Sequence, residues 1–210
     1  MTDTAAAHEQ VSTRRAATRA RLAEAAVRVF ARKGVEGASV EEICDEAGFT
    51  RGAFYSNFES MNELCIDVIQ RFMDRTFDAL AVELPKVSAT ALPIQDKLEL
   101  AVEMVRRSVD NDQDEILAIS EIRLQAARDP QLRPAYQALN ESAAPALKQL
   151  VTEVMASNQV DIGIEVGDLL SIMRTLYDQQ MIEALITGTS NPSQTVSAQM
   201  VILLKALMRG

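Results

Sequence analysis

One histidine, two cysteines and no tryptophan occur in this 210-residue chain, and aromatic residues make up only 4% of it. Each scarcity excludes something. The lone His8 cannot join other imidazoles in a metal cluster, and it lies in the expected terminal arm, away from any partner that a catalytic triad would need. No glycine-rich phosphate loop or nucleophile elbow compensates, so an all-helical enzyme has little to support it and no cofactor is expected. Cys44 and Cys65 are too few for a disulfide framework. Both fall on apolar helical faces, where small core residues are the ordinary reading and redox sensing the alternative. No run of about 18 apolar residues is present, which removes a membrane-spanning helix. The opening MTDTAAAHEQVS lacks the charged-then-apolar layout of a secretory signal, so a cytoplasmic protein is expected. Basic residues are also in deficit: the formal net charge is −9. That balance argues against nonspecific attraction to nucleic acid.

What is present is helix. Hydrophobic residues make up 48% of the chain, enough for a sizeable core in one or two domains. They recur at three- and four-residue steps, with no strand alternation of useful length. The spacing predicts a long helix over 60–84 that ends before Pro85, then helices over 93–110, 113–128 and 132–157. Asp129-Pro130 separates the last two, and Pro145 predicts a kink or break inside the last. Two final helices, over 162–187 and 192–208, are divided by the stretch from Gly188 to Pro192.

The segment SVEEICDEAGFTRGAFYSNFESMNEL, residues 39–64, stands apart. Four of the chain's nine aromatics, Phe49, Phe54, Tyr55 and Phe58, lie within ten residues of it. Ser39 followed by Glu42 is a capping-box pattern. Val40, Ile43, Cys44 and Ala47 then give one apolar face. Gly48 can adopt the left-handed conformation that stops a helix. Thr50 can cap the next helix, expected to carry Arg51 through Phe58. There Phe54 and Phe58 face the core, while Arg51, Gly52, Tyr55 and Ser56 face outward. Two short helices on a glycine turn, braced by a third upstream, are the layout of a helix-turn-helix.

Residues 18–64 resemble the DNA-binding domain of the TetR (tetracycline repressor) family of bacterial transcriptional regulators. The match runs in order and without gaps through AAVRVFARKG (Ala25 to Gly34), SVEEICDEAG (Ser39 to Gly48), FTRGAFYSNF (Phe49 to Phe58) and Glu63-Leu64. The resemblance implies phosphate contacts for Ser39, Thr50, Tyr55 and Asn57. It places Arg51 and Gly52 against base edges, where an arginine fork suits guanine O6 and N7. Two positions depart from the family's pattern. Met61 stands where a lysine is common and cannot donate to a phosphate, and Cys44 replaces a small alanine. Beyond residue 64 the chain resembles the family only in length and helical character.

The expected fold class is therefore all-α. It comprises a disordered basic arm (1–17), a three-helix helix-turn-helix domain (18–64) and a helical-bundle domain for effector binding and dimerisation (65–210). Between residues 14 and 33, Arg14, Arg15, Arg19, Arg21, Arg28, Arg32 and Lys33 face one acid, Glu24. Such a patch would concentrate phosphate attraction at one end of an acidic body. Arg14, Arg15 and Arg19 are candidates for backbone or minor-groove contact, with a merely solvated terminus as the competing reading. The family resemblance implies a homodimer through the last two helices. The dimer candidates are Leu169, Leu170, Met173, Leu176, Met181, Leu185, Val196, Met200, Leu204 and Leu207. It also implies a small, largely apolar effector. Phe72, Met104, Met155, Met173 and Tyr177 are candidate lining, with Arg123 or Arg174 as polar anchor; ordinary core packing competes for each. A dimeric repressor of a pseudo-palindromic operator is the leading expectation. An activator on the same scaffold, or an interaction module that has lost DNA binding, are the alternatives.

Overall fold

The computed structural model describes residues 2–108, 113–189 and 192–208, with side chains for 13–108, 113–189 and 194–208. Among these residues the chain forms nine α-helices: α1 (Thr2–Lys33), α2 (Val40–Ala47), α3 (Arg51–Tyr55), α4 (Met61–Ser88), α5 (Ile94–Ser108), α6 (Gln113–Arg128), α7 (Leu132–Ser157), α8 (Val166–Thr187) and α9 (Pro192–Leu207). The only β pairing among them is an isolated antiparallel bridge between Ile162 and Met208. The all-α expectation holds.

Two compact units emerge, and their boundary differs from the expected one. The first contains Met1–Arg71 and Gln113–Gln137, the second Phe72–Asp112 and Ala138–Gly210. The first unit is therefore larger than a three-helix domain over 18–64, because α6 packs against α1. On α1 the buried positions Leu22, Ala25, Ala26, Val29 and Phe30 follow the helical period. On α6, Ala118, Ile119, Ile122 and Ala126 make the matching stripe. Phe54, Phe58, Ile43 and Leu64 complete this core, each no more than 1% exposed. Burying a phenylalanine in this way stabilises by about 1.5–3 kcal/mol.

Several boundaries moved for identifiable reasons. Helix α1 begins at Thr2, within the stretch expected as a disordered arm, and neither proline nor glycine interrupts the chain before Gly34. The side chain of His8 lies outside the described residues. Helix α4 continues through Pro85 to Ser88. Its last turn is held by the buried Val87 and by Lys97, whose Nζ donates to the Ser88 carbonyl at 2.8 Å. Helix α7 likewise runs unbroken through Pro145. The chain before α8 is irregular from 160 to 165, where Gly163 donates its amide to the Leu207 carbonyl at 3.3 Å.

In the second unit α9 packs on both α5 and α8. Its core is thin. Leu169, Met181 and Val196 are buried, while Ile172, Ile186 and Ile202 are 44%, 73% and 67% exposed. Three residues expected at a dimer interface, Leu169, Met181 and Val196, thus pack inside their own subunit. The remaining candidates, Leu170, Met173, Leu176, Leu185, Met200, Leu204 and Leu207, are half-buried.

Candidate nucleic-acid interface

The helix-turn-helix is assembled almost entirely by short-range bonds. Ser39 caps α2 in an extended conformation, its hydroxyl accepting from the Glu42 amide at 3.2 Å. Glu42 answers through Oε2, which accepts from the Ser39 amide at 3.1 Å. At the other end Gly48 takes φ 70°, a left-handed conformation that costs a side-chain-bearing residue about 1–2 kcal/mol. Phe49 then returns its amide to the Cys44 carbonyl at 2.8 Å. Thr50 caps α3 by accepting from Ala53 at 3.2 Å, which leaves its hydroxyl proton free to donate outward. Arg21 of α1 locks the turn from behind. Its Nη2 donates to the Ala47 carbonyl at 2.9 Å, and its guanidinium lies 4.6 Å from the centre of the Phe49 ring.

Helix α3 is shorter than expected, ending at Tyr55 instead of Phe58. Asn57 explains this. Its Nδ2 donates to the Ala53 carbonyl at 2.8 Å, taking the acceptor that the Asn57 amide would use in a continued helix. That amide turns to Phe54 at 2.8 Å instead. Asn57 is 8% exposed, so its side chain is a structural cap of the turn and not a free phosphate donor. This corrects the expectation drawn from the family pattern. Ser39 is exposed, but its hydroxyl already donates to Glu42 Oε2 at 3.1 Å.

The outward face is as expected. Thr50, Arg51, Gly52, Tyr55 and Ser56 are exposed over the buried Phe54 and Phe58. Tyr55, 53% exposed, stands edge-on to Phe54 with ring centres 5.3 Å apart. Arg51 bridges to Glu41 at 2.9 Å. Hydrogen bonds to Tyr55 and then to Glu41 raise its pKa further, so it is cationic throughout the physiological range. Met61 opens α4 half-buried, and Ser60 supplies the local polar group, accepting from the Glu63 amide at 3.2 Å.

A Cβ placed on Gly52 would meet nothing nearer than Thr50 Oγ1 at 3.7 Å. The fold therefore gives no reason for glycine at an exposed helical position that costs about 1 kcal/mol relative to alanine. Gly52→Ala is expected to raise stability by about that amount while weakening specific duplex binding. Thermal melting and duplex titration of the same variant test this. A variant that is more stable and binds as well would remove the close-approach role.

The basic run of α1 does not form the free patch that the sequence suggests. Arg28 and Arg32 both pair with Glu46, at 2.7 and 2.8 Å, and Lys33 pairs with Glu42. Arg19 is turned inward onto Asp67 at 2.7 Å and Glu63 at 3.0 Å, with a further hydrogen bond to the Asn57 carbonyl. Arg14 and Arg15 are exposed and have no acidic partner among the described residues. Hydrogen bonds from Arg28 and Arg32 hold the Glu46 carboxylate below its ordinary range. A carboxylate whose pKa is lowered by folding contributes stability above its unfolded value, near 4.5, and loses it as pH falls through the folded value. Glu46→Gln is expected to melt lower than wild type above pH 5 or so, with the gap closing in more acid solution. A gap independent of pH would mean that Glu46 acts by packing alone.

The other candidate groups are dispersed. Phe72, Met104, Met155, Met173 and Tyr177 are half-buried in the second unit, and Arg174 is exposed there, donating to Asn140 Oδ1 at 3.2 Å. Arg123 belongs to the other unit. It lies on α6 in the first unit, because α6 is recruited by α1. Burial pushes the Cys65 thiol up to about 12 and raises that of Cys44, which disfavours the reactive thiolate. Among the described residues no helix is long and apolar enough to cross a membrane. No group of three metal-ligating side chains occurs among them.

Comparison with known proteins bears on both units. Residues 22–68 match the model described as bacterial regulatory proteins, tetR family. Residues 94–206 match the tetracycline repressor-like C-terminal domain, so the second part of the chain carries more family signal than length and helix content. The chain is 32% identical over 97 residues to the HTH-type transcriptional regulator YdgC of Bacillus subtilis, covering 46% of this chain and 50% of that protein. It is 27% identical over 134 residues to the HTH-type transcriptional activator FasR of Mycolicibacterium smegmatis, covering 64% and 58%. The matched stretches thus span little more than half of either relative. Among solved structures, FadR of B. subtilis in complex with stearoyl-CoA superposes with a TM-score of 0.67 at 18% identity, over 88% of this chain and 96% of that one. With a family model spanning more than half of its length and a helix-turn-helix built to the same pattern, the chain belongs to the TetR family of DNA-binding transcriptional regulators.

Proposed function

We propose that the protein is a homodimeric repressor that binds a pseudo-palindromic operator and releases it when a small, largely apolar molecule occupies the second unit. One observation carries the DNA-binding part. Thr50, Arg51, Gly52 and Tyr55 are exposed together on a helix whose opposite face is buried by Phe54 and Phe58. Thr50 and Tyr55 supply phosphate donors, and Arg51 reads a base edge across the backbone gap left by Gly52. Dimerisation is supported by Ile172, Ile186 and Ile202, exposed apolar side chains on α8 and α9. A two-fold dimer would set two reading helices about 34–36 Å apart, one turn of duplex. An apolar effector is supported by the half-buried Met104, Met155 and Met173 and by the likeness to FadR, whose structure holds stearoyl-CoA. Release requires the effector to favour the DNA-incompetent state, with a coupling of about 1–3 kcal/mol. The likeness to the activator FasR favours a second reading, activation on the same scaffold.

The test is selection of bound duplexes from a random library at physiological salt, with and without cell extract. A two-fold symmetric site lost on adding extract is the expected result. Arg51→Ala should weaken that site by about 1–3 kcal/mol and flatten one base preference. No enrichment under either condition would favour an interaction module without DNA binding. Placing the selected site upstream or downstream of a reporter promoter separates activation from repression.

A further inference from the structure

Three of the four acidic residues of α2, Glu41, Glu42 and Glu46, form ion pairs, and they do so on two faces. Glu42 and Glu46, one turn apart, are committed to Lys33, Arg28 and Arg32 of α1. Glu41 projects elsewhere and meets Arg51 at the head of α3, Oε1 to Nη1 at 2.9 Å. Their side chains are 67% and 58% exposed, so this bridge lies on the solvent-facing surface and not in the core. A carboxylate there is unexpected on a surface that must approach phosphates, since alone it would repel them.

We infer that Glu41 is the positioning residue for Arg51: by holding Nη1, beside the hydrogen bond that the guanidinium also makes to Tyr55, it restricts the direction in which the fork presents its remaining donors to a base. The inference rests on the base-reading role proposed above for Arg51. A guanidinium carries five N–H donors in one plane. Fixing one corner removes most of the orientations in which the fork could settle on any passing phosphate. The paired charges also present a nearly neutral head to non-cognate duplex, so discrimination comes as much from suppressing wrong contacts as from making the right one. An exposed bridge of this kind can shift an equilibrium by up to about fivefold, which sets the scale of the effect.

The experiment compares wild type with Glu41→Ala and Glu41→Gln, each also made in an Arg51→Ala background. Random-duplex selection gives the base preferences, and titration with one fixed non-cognate duplex gives background affinity. Glu41→Ala should flatten the preference at one base step by about fivefold and bind the non-cognate duplex more tightly. Glu41→Gln, which loses the charge but keeps an acceptor for Nη1, should retain part of that preference. Neither change should alter that step once Arg51 is gone. The inference is overturned if both variants merely tighten binding to every duplex with all preferences intact, because bare charge then accounts for everything. It is also overturned if neither has any effect. Should Arg51→Ala itself keep the wild-type preferences, the base-reading role fails and the inference falls with it. Loss in Arg51→Ala without loss in Glu41→Ala sinks the inference alone. Far-UV circular dichroism confirms that each variant remains helical, as expected for an exposed pair.

Discussion

Replacing Phe58 by alanine is expected to lower the free energy of unfolding by about 3–5 kcal/mol, a large share of what a domain of this size has. The ring is 1% exposed and leans on Phe54 with centres 5.7 Å apart. The Arg19 guanidinium covers it at 4.0 Å from the centroid. Truncation removes the transfer energy of the ring, leaves a void between α1 and the turn after α3, and strips Arg19 of its aromatic partner. The backbone around it is also committed, with the Phe58 amide on the Phe54 carbonyl at 2.8 Å, so the site has little freedom to collapse. Phe58→Leu keeps most of the volume and should cost less than about 1.5 kcal/mol. Tyr55→Ala, at an exposed ring on the opposite face, should cost far less stability than Phe58→Ala while weakening duplex binding. Urea denaturation of the three variants tests the set. Equal losses for Phe58→Ala and Tyr55→Ala would mean that the helix does not divide into a core face and a reading face.

That division was legible because its determinants are local. Ser39 and Glu42 are three residues apart, Thr50 and Ala53 likewise, and Gly48 carries its own conformational signal. What the sequence could not reveal is what each long side chain does across the fold. Arg28 finds Glu46 eighteen residues on, and Arg19 finds Asp67 at a separation of 48. A run of seven cations reads as a phosphate-binding patch until tertiary packing supplies the acids that neutralise most of it. The same limit hid Glu41, ten residues before its partner Arg51. It also hid the recruitment of α6 into the first unit, since periodicity gives an apolar face without saying which helix covers it. Leu169, Met181 and Val196 illustrate this in the second unit, where a face buried by the chain's own core has the same spacing as one reserved for a second subunit. Asn57 failed for a different reason: its residue type suits a phosphate contact, but the local turn uses its amide first.

Arg19→Ala separates the two roles open to this residue, and a loss of about 2–3 kcal/mol in stability is expected, the scale of hydrogen bonds to charged groups. Arg19 and Asp67 are 23% and 14% exposed, so their bridge is more sheltered than those of the α1 surface. Asp67 is further shared with Arg71 at 2.6 Å, and Glu63 also accepts from the Glu59 amide at 2.7 Å. Removing the guanidinium leaves both carboxylates partly shielded from water with one cation between them, and frees the Asn57 carbonyl. Most of the cost is that of the acids left behind, so adding Asp67→Asn to Arg19→Ala should recover part of it. The acid limb of the stability curve provides a second readout. Burial alone would raise the Glu63 pKa, but the Glu59 amide and Arg19 outweigh it and lower it. Glu63 therefore stabilises the fold above its unfolded value, near 4.5, and loses that contribution as pH falls through the folded value. In Arg19→Ala this part of the acid sensitivity should shrink. A phosphate-binding Arg19 would behave in the opposite way. Its removal would leave stability and acid sensitivity unchanged and reduce the salt dependence of duplex binding by about one contact. The packing of Arg19 over Phe58, with its donors spent on Asn57, Glu63 and Asp67, makes the first outcome the expected one.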